Sequence, residues 1–430
     1  VSGAALLHWL VHRPVAVLLF AGLPVFLANY FAGHPGISGW DAQFYYAYAG
    51  AIADGATLDL ERAYSELQLR GADPTVFDPQ KRTPSGQVYN SYPLGHPLLH
   101  TPAAFLGSLL AIITEGGRNA FGPTAQLLYC LSALLGAALG IEAMRRTLLR
   151  YFPAGPLAIS LYSLAGASML GYYWFILPAH SHTSTLLVGG LTLALLCRLV
   201  ESPESPRRLF AALGFLVAWA VMVRLQDLGA GLYALLVLAI LVSAPVLTAG
   251  EKLQRAAALI LTGLATFSIQ LLHWRWKDGR WIPASYNDYS RFDFTQWNHL
   301  QVLFSPRHGL FLWHPILAIA ACGFVIAVLS RSHARDSFTL VATALAGMFL
   351  AILGIGGFYS IWWFGDSFGS RPFLSVLPLF WIGLALLWER AESRSSRAAL
   401  AVVTILLSLA NGGLALAFHL GWISRSGPLF

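Results

Sequence analysis

The chain has 430 residues, of which 57% are hydrophobic and only 11% charged. Soluble domains carry about 25% charged residues, so a soluble globular enzyme is excluded, and the continuity of the apolar runs excludes a barrel of alternating strands. The formal net charge of +7 does not point to nucleic acid, because excess Lys and Arg in a membrane protein gathers in cytoplasmic loops.

Twelve apolar runs follow one another, near 15–33, 97–114, 121–144, 154–177, 182–200, 209–226, 229–248, 255–274, 309–330, 337–356, 372–388 and 398–420. Most approach the ~20 residues needed to cross a ~30 Å hydrocarbon core. The first, preceded by His12 and Arg13, is too long for the apolar part of a cleaved signal and reads as a signal-anchor span. Cys130, Cys197 and Cys322 all lie inside apolar runs, so neither a disulfide framework nor a cysteine metal site is expected.

If every run crossed, the basic clusters would fall on both sides of the membrane. The run 97–114 carries Pro97 and Pro102, which suit a broken juxtamembrane or re-entrant helix. With that run kept from crossing, His12/Arg13, Arg145–Arg150, Arg207/Arg208, Lys252/Arg255, Arg331/Arg335 and Arg390–Arg397 all face one side, as the positive-inside rule requires. We therefore expect an all-α polytopic membrane protein of about eleven transmembrane helices. Its N-terminus is cytoplasmic and its C-terminus outside. Residues 1–430 form a single transmembrane domain with no separate soluble domain. The first external loop, 34–120, carries juxtamembrane helices, and further external loops lie at 275–308 and 357–371.

The candidate chemistry gathers in those loops. Gly39-Trp40-Asp41-Ala42-Gln43-Phe44-Tyr45-Tyr46 sets a carboxylate among aromatics just past the first span. Such a group can accept a proton from a hydroxyl, or cap the helix beginning near Ala42. Asp59 is a second carboxylate candidate in the same loop, which also holds Lys81 and Arg82. Arg307 and Arg371 stand at the edges of spans. There a guanidinium fork suits a lipid phosphate or anchors the helix in the headgroups. Arg224 and Asp227, near another outer end, either neutralise one another or mark a functional site. His180 and His182 are spaced for hydrogen bonding, with no third metal ligand evident. The dense external aromatics, among them Tyr286, Tyr289, Trp362 and Trp363, suit an interfacial belt or sugar stacking.

Taken together, these patches resemble the GT-C superfamily of membrane glycosyltransferases, in particular bacterial relatives of the protein O-mannosyltransferases and of the aminoarabinose transferases that modify lipid A. The resemblance covers most of the chain. It runs through Asp41, Asp54-Gly55-Ala56-Thr57-Leu58-Asp59-Leu60, Ser91-Tyr92-Pro93-Leu94-Gly95-His96-Pro97-Leu98, His180-Ser181-His182, Arg224-Leu225-Gln226-Asp227, Ser305-Pro306-Arg307-His308-Gly309-Leu310-Phe311 and Trp362 through Arg371. It implies inverting transfer of a sugar from a polyprenyl-phosphate donor to a hydroxyl of a lipid, glycan or protein acceptor at the outer face of a bacterial inner membrane. Asp41 would be the base. Arg307, His308, Arg371 and Lys81 or Arg82 would hold the leaving phosphate. Tyr45, Tyr92, His96, His180, His182, Arg224, Asp227, Trp362, Trp363 and Asp366 would meet substrate. No cofactor or metal is implied. The chain departs from many members in placing Ala42 after Asp41 where they carry a second acid, and in having no large soluble C-terminal domain, which turns the expectation away from a protein acceptor read by such a domain. A transporter or flippase of a lipid-linked saccharide, and a non-catalytic membrane subunit, are the competing expectations.

Overall fold

The computed structural model describes residues 3–32, 37–282, 292–330, 337–425 and 427–429. Tyr286, Tyr289, Arg331 and Arg335 of the sequence reading lie outside the described residues. The described residues form helices and two isolated bridges, Arg82 with Val88 and Phe292 with Tyr359. Among the described residues, nine helices are long and apolar enough to cross a membrane, or ten if one bent pair counts as a single span. The protein is an all-α, multi-pass membrane protein.

The order begins with α1 (Gly3–His12), α2 (Pro14–Phe31), α3 (Trp40–Gly55), α4 (Glu61–Leu69), α5 (Gly95–Thr114) and α6 (Pro123–Leu148). It continues with α7 (Ala154–Ala167), α8 (Met169–Gly171) and a π turn Tyr172–Ile176, then α9 (Ser181–Glu201), α10 (Arg207–Val223), α11 (Gly231–Ser243) and α12 (Ala249–Asp278). The last long helices are Pro315–Ser330, Ser337–Gly357, Leu377–Arg390 and Arg394–His419. Helix starts follow local chemistry. Pro14 and Pro123 open their helices where a missing N–H costs nothing, and Thr248 with Glu251 forms a capping box at α12.

Without water to drive helix association, packing relies on close approach. At the α6–α9 crossing a Cβ on Gly190 would collide with the Gly140 carbonyl, so only glycine permits the contact. The apolar run 154–177 is not one straight helix. It bends by 75° at Ser168, and Asn411 donates to the freed carbonyls of Gly166 and Ser168 at 2.8 and 3.0 Å. The run 309–330 also breaks, with a short turn Leu310–Trp313 before the helix that Pro315 opens. The helix expected at 255–274 runs on to Asp278, so Arg275 and Lys277 belong to it rather than to a loop.

α5 packs against α6 at Thr124, Ala125, Ser132 and Gly136. Thr114 and Thr124 hydroxyls lie 2.8 Å apart, and His100 Nδ1 lies 2.8 Å from Ser132 Oγ. The start of α5 rests on the end of α10, where Trp219 Nε1 donates to the Gly95 carbonyl at 3.1 Å.

Candidate active site around Asp41 and Arg371

Asp41 sits in the first turn of α3, whose N-cap is Gly39 at φ 90°. It does not cap the helix, as one sequence reading had it, because the helix already begins at Trp40. Its carboxylate faces across the bundle. Tyr92 Oη donates to Oδ1 at 2.6 Å, and Arg371 Nη1 pairs with Oδ2 at 2.6 Å. The Asp41 and Arg371 side chains are 23% and 13% exposed, so the pair is sheltered yet open to a ligand. Burial pushes the Asp41 carboxyl up, but the Arg371 guanidinium, His180 and the Tyr92 hydroxyl outweigh it and hold the group below the usual carboxylate range. Burial and the Asp41 charge push Tyr92 well above an ordinary phenol, which keeps it a donor.

Three helix ends supply the surroundings. Tyr45, one turn beyond Asp41, sets its ring edge-on to Tyr92 and to His96, both at 4.9 Å between centroids. His180, just before α9, is buried with neither ring nitrogen hydrogen-bonded. Burial first, then the neighbouring Arg371 and Arg224, hold its pKa at about 4 against the pull of Asp41. At neutral pH it therefore offers one N–H and one lone pair. Gly39 makes room for it: a Cβ there would stand 2.8 Å from His180 Nε2.

His182 stacks nearly parallel to His180, 6.3 Å away, and its Nδ1 lies 2.6 Å from Arg224 Nη1. A guanidinium only donates, so His182 accepts there and carries its proton on Nε2. Arg224 and Asp227 are both buried but do not neutralise each other by direct contact. Arg224 binds His182, while Asp227 accepts from Ser375 Oγ at 2.5 Å and Thr185 Oγ1 at 3.3 Å.

A second loop leans on this group. Arg371 Nη2 donates to the Phe364 carbonyl at 3.1 Å, and the Arg307 guanidinium stacks 3.5 Å over the Trp363 ring, itself edge-on to Trp362. Asp366 is exposed on the same loop and acts on Arg307 through its charge. Phe364 and His308 hold φ of 62° and 59°, backbone that bulky residues rarely adopt and that gathers at functional sites.

Other expected residues stand apart. Asp59 is exposed and accepts from the Glu61 N–H at 3.2 Å, starting α4. Arg82 is paired with Glu61 at 2.9 Å, and Lys81 lies over the Tyr89 ring at 4.5 Å. His96 is closed to a ligand, with Nδ1 on Ser184 Oγ at 2.7 Å and Nε2 on the Ala179 carbonyl at 2.8 Å. It buttresses Tyr45 instead. Among the described residues no three His, Cys, Asp or Glu side chains could hold a metal ion together.

Beside the polar group lies an apolar cavity of about 600 Å³, walled by residues that include Leu225, Leu228, Phe267, Leu271, Trp274 and Phe364. Leu225 follows Arg224 directly, and Phe364 carries the carbonyl bonded to Arg371. The cavity wall thus holds the chain neighbour of one sheltered arginine and a hydrogen-bond partner of the other, though neither guanidinium lines it, and an apolar pocket so placed suits the chain of an amphiphile with an anionic head.

Sequence reasoning missed the cavity and four groups on one flank. Gln270, His273, Lys277 and Asp278 are all buried near the end of α12. The spacing of Thr266, Gln270, His273 and Lys277 marks a polar stripe on an otherwise apolar helix, and that periodicity was the available signal. No protein-family model matches this chain, and no curated protein matches it either.

Proposed function

We propose that this chain is an inverting glycosyltransferase of GT-C type that moves a sugar from a polyprenyl-phosphate donor to an acceptor hydroxyl at the outer face of a bacterial inner membrane. The observation that carries the reading is the sheltered Asp41, paired with Arg371 and bonded to Tyr92, together with an apolar cavity whose wall includes Leu225, next to Arg224, and Phe364, whose carbonyl holds Arg371. The resemblance of the sequence patches adds the reaction class.

In this reading the polyprenyl chain occupies the cavity and its phosphate approaches Arg371 and Arg224. The acceptor hydroxyl attacks the anomeric carbon, its proton passes to Asp41, and the bond from that carbon to the phosphate oxygen breaks with its electrons leaving on the lipid phosphate. Two guanidiniums placed in advance stabilise the charge that develops there. Drawing Arg371 toward phosphate also loosens its hold on Asp41, so donor binding makes the carboxylate a better base.

The full topology belongs to this proposal: about eleven crossings, with α5 lying at the outer surface. Gly95–Thr114 is long and apolar enough to cross, but both its ends lie near outer helix ends of this topology, Thr114 by Thr124 at the start of α6 and Gly95 by Trp219 near the end of α10, which supports it. The test supplies polyprenyl-phosphate sugars to purified wild-type chain and to Asp41→Asn and follows released lipid phosphate. Turnover by wild type and its loss in Asp41→Asn is the expected result. Full activity in Asp41→Asn removes the base, and donor transport without transfer replaces the reading by a flippase.

A further inference from the structure

Lys277, near the end of α12, is 2% exposed, an unusual place for an ammonium. Its Nζ donates to the Asn90 main-chain carbonyl at 2.6 Å and lies 3.0 Å from Asp278 Oδ1. Thr83 Oγ1 donates back to the Lys277 carbonyl at 2.5 Å. Asn90 is wholly buried, and its side chain binds in two directions: Nδ2 donates to the Phe44 carbonyl at 3.0 Å, and Oδ1 accepts from the Tyr92 N–H at 3.0 Å. One residue earlier, Tyr64 Oη donates to the Tyr89 carbonyl at 2.7 Å.

The segment 89–92 is therefore strapped at Tyr89, Asn90 and Tyr92, and its last side chain delivers a hydroxyl to Asp41. A buried ion pair is seldom more stabilising than apolar residues of the same volume, so stability alone does not account for Lys277. What an apolar side chain cannot do there is fix the Asn90 carbonyl. We propose that Lys277, balanced by Asp278, is a positioning residue that clamps Asn90 and thereby holds the Tyr92 hydroxyl on Asp41. The clamp couples α12, whose adjacent face lines the apolar cavity through Phe267, Leu271 and Trp274, to the carboxylate. The inference rests on Asp41 as the reacting group, but its test needs no donor or acceptor.

The experiment labels Asp41 in the purified full chain with a water-soluble carbodiimide and an amine across a pH series, read by peptide mass spectrometry. The reagent takes the protonated carboxyl, so the midpoint reports how firmly the anion is held. Arg371, His180, His182, Arg224 and Tyr45 face the Asp41 site and stay unchanged throughout. Tyr92→Phe should move the midpoint upward, since it removes a donor to the anion. Lys277→Met with Asp278→Leu, an apolar replacement of the kind that leaves folds intact, should move it by the same amount, and adding Tyr92→Phe should move it no further. Lys277→Gln, which keeps an N–H for Asn90, should restore the wild-type midpoint. Should the apolar pair fail to melt cooperatively, Lys277→Ser, too short to reach Asn90, carries the same expectation as that pair. A wild-type midpoint without the Lys277 side chain overturns the clamp, as does a Lys277→Gln midpoint matching Tyr92→Phe. Absence of sugar transfer in wild type would sink the enzyme reading and leave this result standing.

Discussion

Asp41 and Arg371 lie at opposite ends of the chain, yet their side chains meet at 2.6 Å. The pair joins the first turn of α3 to the 3-10 turn Arg371–Val376 that leads into the helix Leu377–Arg390. Each partner has a second hydrogen bond: Tyr92 on Asp41, and the Phe364 carbonyl on Arg371. The acid–base group and the phosphate group of the proposed reaction are thus one interlocked unit.

That interlocking makes the two partners unequal under substitution. Asp41→Asn should lower turnover about 100-fold or more, the range for losing a general base. Arg371→Lys keeps the charge but loses the fork, and should raise the donor KM by roughly tenfold with a smaller effect on kcat. Steady-state kinetics on both variants separate the two roles.

Asp41 is held below the usual carboxylate range, which fixes the pH behaviour. Its anionic form is favoured by folding, so its contribution to stability is complete above the unfolded carboxylate pKa, about 3.9, and is lost as pH falls through the folded value. The acid limb of kcat/KM, which reports the free enzyme, should therefore lie below about pH 4 and move upward in Tyr92→Phe. A pH–rate profile of the two proteins reads this directly.

His180 gives a window at higher pH. Its folded pKa of about 4 lies below the unfolded value of about 6.5, so the unfolded chain binds the extra proton first. The stability of the neutral ring is complete above about pH 6.5 and drains away as pH falls toward 4. His180→Gln should flatten the melting temperature over that interval. It should also weaken substrate binding, because the unpaired ring nitrogens are lost.

Gly39 combines a φ of 90° with a close His180 ring. Gly39→Ala meets both the left-handed backbone and the imidazole, and should cost about 1–3 kcal/mol. The melting temperature should fall, and activity should fall with it as His180 is displaced.

The cavity is tested by filling it. Leu271→Trp narrows the chamber beside Trp274 and should raise KM for long-chain donors while sparing short-chain ones. An equal change for both would separate the cavity from the lipid chain.

The sequence by itself determined the class of molecule and most of its helices. Apolar runs near 20 residues have few other stable solutions, since each backbone polar group must be bonded within its own helix in hydrocarbon. It also brought forward Arg371, His180 and Arg224, because polar groups at the ends of spans are costly enough to stand out, and, through topology and the family resemblance together, Asp41 and Tyr92. It misjudged what depended on partners distant in the chain. At the 75° bend the Ser168 hydroxyl caps the next helix locally, but the Gly166 and Ser168 carbonyls are taken up by Asn411, far along the chain. His96 looked available until Ser184 and Ala179 closed both its nitrogens. Lys277 looked like loop charge until Asn90 was found beneath it. Local sequence sets which segments can be helices in lipid. Only the tertiary structure decided which polar atoms were already satisfied, as at His96 and Asp41, and which were not, as at the two ring nitrogens of His180.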